Sequence, residues 1–71
     1  MENLMDKLAK RIGRNVSDTR RKRGMTSEKL AYENGISKGY LSDIENGKKL
    51  PSIRMLNQIA GALGVDIKDL V

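Results

Sequence analysis

The stretch LAYENGISKGYLSDIENGKKLPS, residues 30–52, is broken at Asn34-Gly35 and again at Asn46-Gly47, with a serine two residues after the first break. Gly35 stands where a helix ends, because the left-handed backbone of a helix stop costs least for glycine. Upstream, Thr26 occupies an N-cap position, Ser27 and Glu28 form a first turn, and Leu30 with Ala31 is the inward pair of a short helix. Downstream, Ser37 caps another short helix with Leu41 and Ile44 three apart, and Asn46-Gly47 closes it. Only Gly35 and Ile36 separate the two. Short helices joined by so tight a turn predict a helix-turn-helix over about 26–46. Ala31 suits it, since a larger side chain behind the turn would overpack the approach of one helix to the other.

Working outward, residues 2–23 read as a helix, with Leu4, Leu8, Ile12 and Val16 recurring every four positions until Gly24. A strict four-residue step overshoots the helical repeat by about 40° each time, so Leu4 and Val16 do not share one narrow stripe. Met1, Leu4 and Met5 are therefore expected to dock on the last helix or on a partner. Beyond the basic connector Lys48, Lys49, Leu50 and Pro51, Ser52 caps a helix carrying Ile53, Leu56, Ile59, Ala60 and Leu63 on one face, ended by Gly64. Asp66 then caps a last turn or two, Ile67 to Leu70, with Leu70 returning to the core. No strand-like alternation, repeat or linker is present. The expectation is an all-α, compact bundle of five helices forming a single domain over residues 1–71, with residues 1–9 as an N-terminal extension.

Composition narrows the chemistry. Seventy-one residues bury roughly 60% of the unfolded chain's surface, so close helix packing must supply the stability. With no cysteine and no histidine there is no disulfide, thiol nucleophile or ordinary zinc site, and no positioned acid–base pair points to an enzyme. No cofactor, metal or small-molecule ligand is indicated. No run has the length of a membrane span, and the early charges of MENLMDKLAKRIGR do not suit a signal peptide, so the expected location is cytoplasmic. Lys+Arg 14 against Asp+Glu 9 gives a formal charge of +5, which favours a polyanionic partner. Eight of the fourteen cations precede Gly24, where a solvated helix face accounts for many of them. Only Tyr32 and Tyr40 are aromatic, too few for the base-stacking platforms of single-strand and RNA binders, and duplex DNA fits better.

Projected at about 100° per residue, the helix after Ser37 places Lys38, Gly39, Ser42, Asp43 and Asn46 on one outward arc about 140° wide. Leu41 and Ile44 point inward, and Tyr40 and Glu45 sit on opposite flanks. The run 30–52, with Arg20 and Gly24 upstream and LNQIAGALGV downstream, resembles the phage repressor and Cro type of helix-turn-helix family, also called the XRE family. The resemblance covers about residues 10–70 and rests on Arg20, Gly24, Leu30-Ala31, Gly35, Ser37, Leu41, Ile44-Glu45, Gly47, Pro51-Ser52 and the segment Ala60 to Val65.

That resemblance implies a lambda-repressor-like fold and a transcriptional regulator, acting as a repressor, that binds a palindromic operator as a homodimer. The alternative is an antitoxin or protein-interaction adaptor on the same scaffold. It also implies that Glu45 pairs with Arg20 as a structural clamp. Base contacts are expected from Lys38, whose ammonium suits guanine O6 and N7, with Gly39, Tyr40, Ser42 and Asp43 on the same face. Lys38 could instead touch phosphate, and Tyr40 could pack on the preceding helix. Asp43 has three readings: accepting from a cytosine amino group, repelling a backbone that comes too close, or pairing locally with Lys38 or Lys48. Phosphate contacts are expected from Ser27, Ser37, Asn46, Lys48 and Lys49. Ser27 departs from the glutamine common there in the family, which puts one anchoring contact in doubt, and Asn34 replaces a small or apolar residue. Dimerisation is expected through Val65 to Val71, with Met1, Leu4 and Met5 contributing.

Overall fold

The computed structural model describes all 71 residues as four α-helices and one terminal 3₁₀ turn: α1 (Leu4–Lys22), α2 (Ser27–Glu33), α3 (Lys38–Glu45), α4 (Ile53–Leu63) and the turn Ile67–Asp69. The fifth helix expected from sequence is thus a single turn. Asp66 and Asp69 close a capping box on three residues, and Asp69 N–H and Leu70 N–H donate to the carbonyls three positions back, at 2.9 Å each. Leu70 then drops into the core with no exposure at all. No helix is long and apolar enough to cross a membrane.

The first helix begins at Leu4, two residues later than the apolar spacing predicts. Asn3 is its N-cap: Oδ1 accepts from Asp6 N–H at 2.8 Å, and the Asp6 carboxylate accepts from Asn3 N–H at 3.4 Å. Thr26, Ser37 and Ser52 cap α2, α3 and α4 in the same manner, each side-chain oxygen accepting from the amide three residues on. The turn between α2 and α3 is fastened from within, Ile36 N–H donating to Ala31 O at 3.1 Å and Asn34 Nδ2 to Leu30 O at 2.9 Å.

One cluster joins the helices. Val16 of α1, Leu30 of α2, Leu41 and Ile44 of α3, Ile59 of α4 and Leu70 are wholly buried within it. Polar bonds fix the C-terminal half of α1 to the rest, Asn15 Nδ2 donating to Leu70 O at 3.1 Å and Arg23 donating to Gly64 O at 3.2 Å. The closest approach is α1 on α3. A Cβ at Gly13 would run into the carbonyl oxygen of Ile44 and lie 2.9 Å from that of Glu45, so only glycine lets the two backbones meet. Gly47, at φ +74°, continues the same contact: a Cβ there would lie 2.7 Å from Lys10 Cγ.

Candidate nucleic-acid interface

The placement of α3 follows from that packing. Leu41 and Ile44 are fully buried, which fixes the helix's rotation and leaves Lys38, Gly39, Ser42 and Asn46 exposed. Gly39 has only the Ser37 hydroxyl, at 4.0 Å, near the place of a Cβ, so its backbone is open to close approach. Tyr40 and Asp43 lie at one edge, half-buried, Tyr40 packed against the core. Glu45 lies at the other.

Glu45 is held back by a two-pronged pair. Arg20 Nε donates to Oε2 at 2.8 Å and a terminal guanidinium nitrogen to Oε1 at 3.0 Å, while the other terminal nitrogen donates to Met25 O at 3.0 Å. Both side chains keep little more than a tenth of their exposure, 12% for Arg20 and 11% for Glu45. The hydrogen bond donated to Glu45 raises the Arg20 pKa, and burial pulls it the other way. Planar guanidinium matches planar carboxylate, so the contact fixes an angle between α1 and α3 as well as a distance.

Two lysines of the outward surface, Lys38 and Lys49, also have a carboxylate. Lys38 Nζ donates to Glu28 Oε2 at 2.8 Å, across the turn from α3 to the first turn of α2, and the Ser27 hydroxyl donates to Glu28 Oε1 at 3.2 Å. The Lys38 hydrogen bond, followed by Glu28's own backbone amide, the lysine's charge and the Ser27 hydroxyl, holds the Glu28 carboxyl down at about 2. Lys49 lies 3.8 Å from Asp43 and 5.6 Å from the centre of the Tyr40 ring. The local partner of Asp43 is thus Lys49, where sequence pointed to Lys38 or Lys48. The cause is the turn after Asn46: the Asp43 carbonyl accepts from Lys48 N–H at 2.8 Å and Lys49 N–H at 3.2 Å, folding the connector back along α3.

The sequence-predicted residues fall into two groups. Ser27, Lys38, Ser42 and Asn46 border one polar hollow of about 240 Å³, with Ser17, Arg20, Arg21 and Glu45 completing its wall. Asn46 Nδ2 donates to Ser42 Oγ at 3.1 Å, joining two of them directly. Tyr40, Asp43 and Lys49 form the other group, on the far edge of α3. Ser37 caps α3, its oxygen accepting from Tyr40 N–H at 3.0 Å, and Lys48 is exposed on the connector. Sequence reading missed Glu28, Ser17 and Arg21, and missed that Lys10 and Arg14 continue the surface past Asn46. A helical projection of α1 would have found part of this, because Lys10, Arg14, Ser17 and Arg21 follow one another at three- and four-residue steps on one face.

An exposed α3, capped at Ser37, clamped by Arg20 and joined to α2 by a tight turn, over a first helix with cations on the same side, has the form of a helix-turn-helix domain. Residues 13–71 match the family model described as a helix-turn-helix domain. The chain is 38% identical over 64 residues to an uncharacterized HTH-type transcriptional regulator, y4dJ, of Sinorhizobium fredii, covering 90% of this chain and 83% of that one. It is likewise 38% identical over 61 residues to the ImmF control region 10 kDa protein of Bacillus phage phi105, covering 86% of this chain and 68% of the other. Among solved structures, the clp gene regulator ClgR of Corynebacterium glutamicum superposes with a TM-score of 0.87 at 33% identity, over 89% of this chain and 67% of that one. The chain belongs to the phage-repressor and Cro type, or XRE, family of helix-turn-helix transcriptional regulators.

Proposed function

We propose that the protein is a sequence-specific double-stranded-DNA-binding repressor that acts as a homodimer on a palindromic operator. The observation that carries this reading is the division of α3: Lys38, Ser42 and Asn46 face outward around an open Gly39, while Glu45, the carboxylate that would meet phosphate, is neutralised by Arg20. In this reading Lys38 and Ser42 meet base edges, Gly39 admits the duplex, and Tyr40 with Asp43 meets the neighbouring sugar or base. Asn46, Lys48, Lys49 and Ser27 hold phosphates, joined by Arg21, Arg14 and Lys10 of α1.

The dimer reading draws on a different surface. Met5, Leu50, Ile53 and Val71, all exposed, line an apolar groove of about 470 Å³ with Leu8, Ile12, Pro51 and Leu56. Exposed apolar patches of this kind mark association surfaces. Of the segment Val65 to Val71, Leu70 is wholly buried and only Val71 reaches the groove, so the dimer contact moves toward Met5, Leu50 and Ile53. Leu50 directly follows the Lys48–Lys49 connector, so an association at the groove lies beside the segment assigned to phosphate. The groove also suits a partner of another sequence, as an antitoxin or adaptor would require.

Selection of bound duplexes from a random pool decides between them. The expected result is an inverted repeat with half-site centres about 34 Å apart, one turn of the duplex, bound with a steep log–log salt slope of about −0.9 per phosphate neutralised. No enriched motif and a shallow, sequence-blind slope would overturn the repressor reading in favour of the adaptor.

A further inference from the structure

Resting on the DNA-binding reading, we propose that Glu28 is a positioning residue for Lys38: it aims the ammonium of the recognition helix and makes the protein reject duplexes that offer no guanine O6 and N7 pair there. Three features of the site lead to this. First, the pair spans two elements, from the second residue of α2 to the first of α3, and both Glu28 oxygens are engaged, one by Lys38 at 2.8 Å and one by Ser27 at 3.2 Å. The carboxylate is therefore oriented from its own helix before it meets the lysine. Second, Glu28 and Lys38 keep 64% and 62% of their side-chain exposure, so DNA can reach the pair without unfolding anything. Third, Lys38 and Ser27 both border the polar hollow beside α3, so the carboxylate that links them stands at the rim of the surface assigned to DNA.

The consequence follows from counting protons and charges. An ammonium has three N–H donors, and Glu28 takes one. Two remain for guanine O6 and N7, so Lys38 can read a base while Glu28 still holds it. A phosphate contact is different: it brings a second anion beside the Glu28 carboxylate, which stays ionised at neutral pH with its carboxyl held at about 2. Phosphates are present in every duplex, whereas the adjacent O6 and N7 acceptors of a guanine opposite Lys38 are present only in the right one. The repulsion therefore falls on all sequences, and its compensation falls on one.

Glu28→Gln keeps the side chain's size and removes its charge. Binding is measured to the pool-selected operator and to a permuted duplex of the same length and composition, for the intact chain, Glu28→Gln, Lys38→Ala and the double variant. Glu28→Gln should tighten the permuted duplex about threefold to tenfold, the scale of an exposed charge counted over two protomers, and tighten the operator by no more than about twofold. In the Lys38→Ala background the same change should move both duplexes by one common factor. A common factor in the wild-type background as well would overturn the proposal, leaving Glu28 as bulk charge. A DNA-free measurement separates the layers: the Glu28 carboxyl followed by NMR should titrate well below the ordinary carboxylate range and rise toward it in Lys38→Met, where only the backbone amide and Ser27 still lower it. Ordinary titration in the intact chain would overturn the pairing while leaving the DNA reading untouched, whereas equal wild-type affinity for operator and permuted duplex would remove both.

Discussion

The two ends of α3 carry the same chemistry, a cation against a carboxylate, in opposite surroundings. At its C-terminal end Arg20 and Glu45 make a forked contact at about a tenth exposure; at its N-terminal end Lys38 and Glu28 make a single contact at more than six tenths. Burial and the forked geometry separate the roles. Removing one member of the buried pair strands a charge that water reaches poorly, whereas an exposed pair exchanges partners with water or phosphate at little cost. The first can hold the helix and the second can respond to DNA, and neither can do the other's work.

The comparison breaks most completely at Gly13, where α1 meets the carbonyls of the C-terminal end of α3. In an ordinary helix interior Gly→Ala stabilises by about 1 kcal/mol. Gly13→Ala should instead destabilise by about 3 kcal/mol or more, because the new methyl overlaps the backbone oxygens of Ile44 and Glu45 and one helix must move. Thermal melting reads this directly, and a raised melting temperature would show that α1 does not lie on α3 as described. Arg20→Ala should follow, at about 2–4 kcal/mol, toward the lower part of the range for a buried pair because some exposure remains. For a domain of this size that is a fall of roughly 10–25 °C, with the preferred DNA sequence unchanged. A fall of a degree or two would reduce the clamp to a surface contact.

How much of this the sequence discloses depends on how local each signal is. The caps at Thr26, Ser37 and Ser52 and the inward pair Leu41 and Ile44 are legible because each depends on residues within one or two turns of its own position. The partnership of Arg20 with Glu45, twenty-five residues apart, came from family likeness. Gly13 was silent, since a glycine within a helical pattern acquires meaning only from the backbone laid across it. Glu28 with Lys38 was silent too: ten positions apart and on two helices, they meet only through the angle the Gly35 turn sets. The terminal segment misled for a related reason, as Asp66 caps a helix or a 3₁₀ turn equally well until the burial of Leu70 decides the length.

The exposed surface should divide by its targets. Lys38→Ala should relax discrimination at one base pair in each half-site by about 1–3 kcal/mol, and Lys49→Ala, on the connector, should weaken all sequences alike and reduce the salt slope by about one unit per protomer. Isotherms on a panel of single-base operator variants at two salt concentrations distinguish the two. If both substitutions weaken every variant equally, the N-terminal end of α3 is a phosphate contact only, and its contrast with the connector disappears.

The smallest effect lies in the pH dependence of the exposed pair. The folded chain holds the Glu28 carboxyl at about 2, below its ordinary value of 4.5, so whatever stability the pair contributes is complete above 4.5 and lost as the pH falls toward 2. Melting curves of the intact chain and of Glu28→Gln should therefore keep a constant separation from pH 5 to 8 and converge below pH 4. The separation itself should be slight, because water surrounds both groups. A separation that widened on acidification would have the wrong sign for a lowered carboxyl, and it would mean that Glu28 is engaged by something other than Lys38. A constant separation at neutral pH also bears on the DNA surface: across that range the carboxylate opposing phosphate keeps its charge, so selectivity at Lys38 should not drift with pH while the Arg20–Glu45 clamp holds α3 in place.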